Sequence, residues 1–365
     1  PLLLIKENER VRKETASTRA NKMNGYEFID DVFDGSITNT SLFTTRATGT
    51  QTNLTDDNLK SDKIDPLVIK GWEEMASNPS LQRDYIYYGM TPSKQEGKLN
   101  MSVDEYLYRF QIDPAAYYKI ADQKGTADKK DDPMIKVGES TSNKKSELPR
   151  EEIIRRLWTE GNFEIRFRIY TGINNSTTMN PQILPFNVRP DELFDIKIQS
   201  SKRHKTAFRH SKYTYWINPE DLGRKWYYPR EHGYYNRIDK WDISQQSLHK
   251  FIYVDEVDES EIRKETLTVV TTYTQNFKSS VDGSIKLGEK GDFKVGLGYD
   301  SSTSKQITSS VETTVNKDDD ILGNLKLYFY DPIIIQNNKE QGYRLKDISN
   351  GTVTITFMPM SDPFT

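Results

Sequence analysis

The side chains that do chemistry are few here, and they are badly spaced for it. The histidines are His204, His210, His232 and His249. No two stand at the i, i+4 spacing of a helical metal pair, and no HExxH occurs. His204 and His210 can meet across a hairpin, but no acidic third ligand accompanies them. Cysteine is absent. Disulfides, thiol nucleophiles, iron–sulfur clusters and cysteine-held zinc are therefore excluded. There is no GxxxxGK[ST], no GxSxG, and no GxGxxG between a strand and a helix. Gly296 and Gly298 form a GxG that no helix follows. The acidic runs at 255–261 and 318–320 do not follow the ligand order of a calcium loop. Among 54 acidic residues, spacing singles out no pair for acid–base work. The expectation is a non-enzymatic protein with no metal site and no cofactor.

Two groups of residues are suited to binding. Aromatic residues concentrate between Thr206 and Asp255, well above the chain average of 11%. Trp226, Tyr227, Tyr228, Tyr234, Tyr235 and Trp241 stand in loop-like sequence beside Pro229, Gly233 and Asn236. Flat rings with a polar tip stack on sugar faces or sit at a membrane interface. These six are the candidate surface or glycan-binding residues. A basic cluster, Lys202 to Lys205 with Arg209 and Lys212, suits anionic headgroups or acidic glycans. The formal charge of the whole chain is −3. That leaves no general basic excess for phosphate, so nucleic acid is not an expected partner.

The elements that must carry these residues are mostly strands. Phe163, Ile165, Phe167 and Ile169 alternate with Glu164, Arg166 and Arg168, the pattern of an antiparallel strand wet on one face. Segments 193–199 and 212–217 read as further strands. Helices are expected at 67–75, around Trp72, and at 148–158, where Pro149 lies in the first turn and Gly161 follows the end. Ser102 suggests a third helix running through Glu105 to Phe110. Segment 122–147 reads as a linker or exposed loop.

The most informative stretch is 265–315. Leu267, Val269, Tyr273, Phe277, Val281, Ile285 and Leu287 take the odd positions. Beyond a turn at Glu289-Lys290-Gly291, so do Phe293, Val295, Leu297, Tyr299, Ile307, Val311 and Val315. This alternation runs for about 20 residues on each side, against 3–10 in ordinary strands. The three-residue turn fits a hairpin loop. Its register pairs Leu287 with Phe293, Ile285 with Val295, Val281 with Tyr299, Tyr273 with Ile307, and Val269 with Val311. Segments 277–287 and 293–303 have the length and alternation of transmembrane β-strands. Phe277, Val281, Ile285, Leu287, Phe293, Val295, Leu297 and Tyr299 would face lipid. Asp282, Ser284, Lys286 and Lys294 would face a lumen. One hairpin cannot close a barrel, so several copies are required.

With its Ser/Thr-rich stem, Ser280-Val281-Asp282-Gly283-Ser284-Ile285-Lys286-Leu287-Gly288 followed by Phe293-Lys294-Val295-Gly296-Leu297-Gly298-Tyr299 resembles the amphipathic hairpin of aerolysin-like β-pore-forming proteins. The resemblance covers about 265–335. It implies a secreted protein, monomeric or a small oligomer in solution, that forms a homo-oligomer on a target membrane and inserts the hairpin. The other expectation is a secreted or surface-anchored adhesion or glycan-binding protein, with the hairpin as static scaffold. Both place the protein outside the cell, with a membrane surface or a glycan as partner.

The expected fold is mainly β: an antiparallel sandwich plus a long hairpin module, with a mixed, partly helical N-terminal region. Its divisions are a polar, partly helical region over 1–148, an aromatic-rich β domain over 149–260, and the hairpin module over 261–365. Strands at 324–335 and 351–358 are expected to join the hairpin base in one C-terminal sheet.

Overall fold

A computed structural model describes residues 10–13, 26–29, 58–94, 96–120, 134–137, 148–157, 162–173, 179–205, 210–257, 262–274, 277–279, 284–287, 304–316, 320–338 and 341–361. The fold is mainly β and antiparallel, as the alternation implies.

Helix α1 (Pro66–Glu74) begins where expected. Asp65 caps it by accepting from the Leu67 N–H at 2.8 Å, and Pro66 fills the first turn. Helix α2 (Gln82–Tyr88) lies against it. Gly71 permits the approach, because a Cβ there would come within 3.1 Å of the Ile86 side chain. The expected helix after Ser102 is instead strand β1 (Asp104–Ile112). Tyr106, Tyr108, Phe110 and Ile112 recur every second residue, and aromatic and β-branched side chains favour a strand. The Ser102 hydroxyl bonds Asn100 Oδ1 at 2.7 Å rather than capping a helix. Helix α3 (Arg150–Leu157) agrees with expectation.

Eight strands form two four-stranded sheets. In the first, β1 lies between Arg237–Ile238 and the C-terminal strand Val353–Met360, with Asp347–Ser349 outside the latter. In the second, Phe163–Ile173 and Gln246–Glu256 are central, flanked by Gln182–Val188 and Asp320–Tyr328. The sheets meet face to face. The Phe110 ring lies 5.0 Å from Phe167 and 5.4 Å from Phe186. Each such ring contributes roughly 1.5–3 kcal/mol on burial. A third sheet pairs Ile198–Lys205 with His210–Ile217 and His210–Ile217 with Met134–Val137. Part of the expected linker is therefore a strand.

The sequence divisions at 148 and 260 do not separate structural units. Strand β1 pairs with Val353–Met360, from Asp104 opposite Met360 to Ile112 opposite Val353. Gln246–Glu256 pairs with Asp320–Tyr328. One core of buried side chains runs from Leu59 to Met360. The expected common C-terminal sheet does not form either, since Asp320–Tyr328 and Val353–Met360 belong to different sheets. Composition changes along the chain carry no information about which distant strands pair.

A charged network crosses this core. Arg83 on α2 donates to both oxygens of Glu105 on β1, at 3.1 and 2.8 Å. The same carboxylate accepts from the Tyr87 hydroxyl and from Trp241 Nε1, each at 3.0 Å. Lys250 lies fully buried with its ammonium 4.5 Å from the Trp241 ring.

Candidate functional site

The hairpin stem is a two-stranded ribbon, Ile262–Thr274 against Ser304–Asn316. Its thirteen residues per strand exceed the usual strand of about 5–6. Among the described residues, neither strand pairs with a third one. The register differs from the expected one by two residues. Leu267 lies opposite Val311 and Thr271 opposite Ile307, where Val269 and Tyr273 were expected. A two-residue slip leaves every side chain on its own face, because the period is two. Alternation therefore could not exclude it. The Glu289-Lys290-Gly291 turn behind the expected register lies outside the described residues.

The tip region also departs from a single extended hairpin. Phe277–Ser279 turns back on Ser284–Leu287, with Phe277 opposite Leu287 and Ser279 opposite Ile285. Ser284–Leu287 then pairs on its other edge with Glu96–Lys98. So 277–287 is not one continuous strand. Asp282-Gly283 is a turn dipeptide, a local signal that the alternation over 277–287 masks. At the second edge Lys286 stands opposite Glu96. Val281, Asp282, Phe293, Lys294, Val295, Leu297 and Tyr299 lie outside the described residues.

The aromatic candidates separate into core and surface. Trp241 is fully buried between Phe329 and Lys250. Tyr227 is buried as well, against Phe110 at 5.0 Å and stacked on His232 at 4.5 Å. Neither can meet a surface ligand. Loop composition concealed this because the loop is hydrogen-bonded along the edge of β1. Tyr227 and Phe110 exchange backbone bonds at 2.8 and 3.0 Å, and Leu107 N–H donates to Asn236 at 3.0 Å. Tyr234 is half-buried, its hydroxyl donating to the Asn187 carbonyl and accepting from the Asn187 N–H, both at 2.9 Å. Tyr235 is 51% exposed, near the Arg237 guanidinium.

Trp226 and Tyr228 meet on Arg109. The Arg109 side chain is buried, and its guanidinium carbon lies 3.9 Å from the centroid of the half-buried Trp226 ring. Nε donates to Thr356 Oγ1 at 3.1 Å, Nη1 to the Tyr228 hydroxyl at 3.4 Å, and Nη2 to Asp347 Oδ1 at 3.3 Å. Thr356 Oγ1 donates to the same Asp347 oxygen at 2.6 Å. Tyr108 and Tyr228, both half-buried, pack edge to face at 5.6 Å. Burial raises the Tyr108 hydroxyl to about 12, with Tyr228 adding to the effect. Tyr108, Arg109, Thr356 and Asp347 were not singled out in the sequence. They come from strands more than 200 residues apart in the chain, and only the pairing of β1 with Val353–Met360 brings them together.

In the basic cluster, Lys205 stands opposite His210 and His204 opposite Ser211, so both histidines do share one hairpin. Among the described residues no group of His, Asp and Glu is arranged to hold a metal ion, and no helix is long and apolar enough to cross a membrane.

No protein-family model, curated protein or solved structure matches the chain.

Proposed function

We propose that this is a secreted, non-enzymatic protein of the pore-forming, toxin-like kind, which oligomerises on a target membrane and inserts the 277–303 hairpin. The observation that carries the reading is the Ser/Thr-rich ribbon, thirteen residues per strand, with no third strand on either side among the described residues. Unpaired edges are open to pairing with other copies, and a barrel closed from several hairpins removes them. The alternation of Phe277, Val281, Ile285 and Leu287 with Asp282, Ser284 and Lys286 supplies a lipid face and a wet face. The pairing of Phe277–Ser279 with Ser284–Leu287 must open before that segment can span a bilayer. In this reading the pairing with Glu96–Lys98 belongs to the soluble form.

Val295→Asp places a charge on the proposed lipid face, which costs about 2–4 kcal/mol or less for a carboxylate near the midplane. Leakage from vesicles should fall at least tenfold while the soluble protein keeps its thermal transition. A variant that leaks like the parent, or one that unfolds in solution, contradicts the reading.

A further inference from the structure

From the geometry around Arg109 we infer a binding site for neutral saccharides on the outside of the first sheet. It goes beyond the insertion reading and does not depend on it, since it needs only the folded body of the protein.

Two open hydrogen-bonding atoms stand there beside aromatic rings. The Tyr228 hydroxyl accepts from Arg109 Nη1, so its own proton is left to donate. Asp347 Oδ1 takes both Arg109 Nη2 and Thr356 Oγ1. Its second oxygen has no hydrogen-bond partner among the described residues, and the side chain is 21% exposed. One free donor and one free acceptor are thus fixed by a single buried guanidinium. That guanidinium cannot swing away, because Thr356 holds Nε and the Trp226 ring covers its face. The half-buried rings of Tyr108 and Tyr228 stand next to them.

A sugar ring matches this set. Its hydroxyls both donate and accept, so neighbouring ones can take a phenol proton and give a proton to a carboxylate. Its C–H face packs on aromatic rings. A few placed polar groups beside apolar surface are the usual makeup of a small-molecule site. Charge decides the class. Arg109 already has a partner at each of Nε, Nη1 and Nη2, so no strong cation is open to an acidic sugar. The open acceptor is a carboxylate, which repels one. The rim is balanced, with Arg230 and Glu231 both exposed. Neutral hexose and N-acetylhexosamine oligomers fit, and sialylated or sulfated ones do not.

The test titrates the full chain with mannotriose, lactose and an N-acetylglucosamine tetramer, and with sialyllactose as the anionic comparison, by calorimetry. At least one neutral oligomer should bind saturably below about 10 mM, and sialyllactose more weakly than lactose. Tyr228→Phe keeps the ring on Tyr108 but removes both the open donor and the acceptor of Arg109 Nη1, so it should weaken binding about tenfold and lower the thermal transition modestly while leaving it cooperative. Asp347→Asn keeps an oxygen for Arg109 and replaces the open acceptor by a donor, and should weaken it similarly. No saturable binding to any neutral oligomer overturns the inference, as does binding that Tyr228→Phe leaves undiminished or a preference for sialyllactose. Vesicle leakage plays no part in the measurement, so failure here and failure of the insertion reading remain separate.

Discussion

Asp84 sits fully buried on α2, and neither carboxylate oxygen has a hydrogen-bond partner. Burial raises its carboxyl to about 8, while only its own backbone N–H pulls the other way. In the unfolded chain the group ionises near 3.8. Between about pH 4 and 8 the folded protein therefore holds a proton that the unfolded chain has lost, and stability falls as pH rises through that window. Asp84→Asn should flatten this slope and stabilise the protein by about 1–3 kcal/mol at pH 8. Urea unfolding at pH 5 and pH 8 reads both effects. An unchanged slope would mean that Asp84 finds a partner in solution. Glu105, by contrast, is fully partnered. It satisfies Arg83, Tyr87 and Trp241 at once, and Glu105→Ala leaves a buried guanidinium without its counter-charge. A loss of about 3–5 kcal/mol is expected from the same unfolding assay. The sequence could not reveal these roles. Arg83, Asp84 and Glu105 stand among many charged residues, and only the packing of α2 on β1 decides which are buried.

At the scale of elements, the period-two signal was strong enough to place strands and too symmetric to register them. Phe163–Ile173 and the ribbon strands were legible from alternation, and Pro66–Glu74 from its cap and proline. The register was not, because a two-residue slip preserves both faces. Absence of cysteine makes this testable with introduced pairs. Directly opposed residues lie about 4.5–5.5 Å apart between Cα atoms, within disulfide range. Thr271→Cys with Ile307→Cys should cross-link rapidly under mild oxidation, and Tyr273→Cys with Ile307→Cys markedly more slowly. The reverse order would restore the register expected from the turn. Lys98→Cys with Ser284→Cys should also close, since these two are register partners. With that bond oxidised, the hairpin cannot extend, and leakage should return only on reduction. Leakage unaffected by a closed bond would show that Ser284–Leu287 does not move.

For the whole molecule, the long-range pairing of the ends matters most. The aromatic-rich stretch 149–260 looks like a domain by composition, yet its Gln246–Glu256 strand needs Asp320–Tyr328. The loop carrying Trp226 and Tyr228 likewise needs β1 from before it. Expressed alone, 149–260 should show no cooperative thermal transition, whereas the full chain should show one. A cooperative transition in the isolated piece would reinstate the sequence division. The same topology explains why half of the arginine-centred site was invisible. Trp226 and Tyr228 announce themselves as loop aromatics, but Arg109, Thr356 and Asp347 have no local pattern that marks them. The central functional proposal, that the 277–303 hairpin beyond the ribbon enters a membrane, is tested most directly by dye release from lipid vesicles read beside a sizing experiment. Leakage accompanied by a ring-sized oligomer is the predicted result. A folded protein that stays monomeric and releases no dye from neutral or anionic vesicles would contradict it.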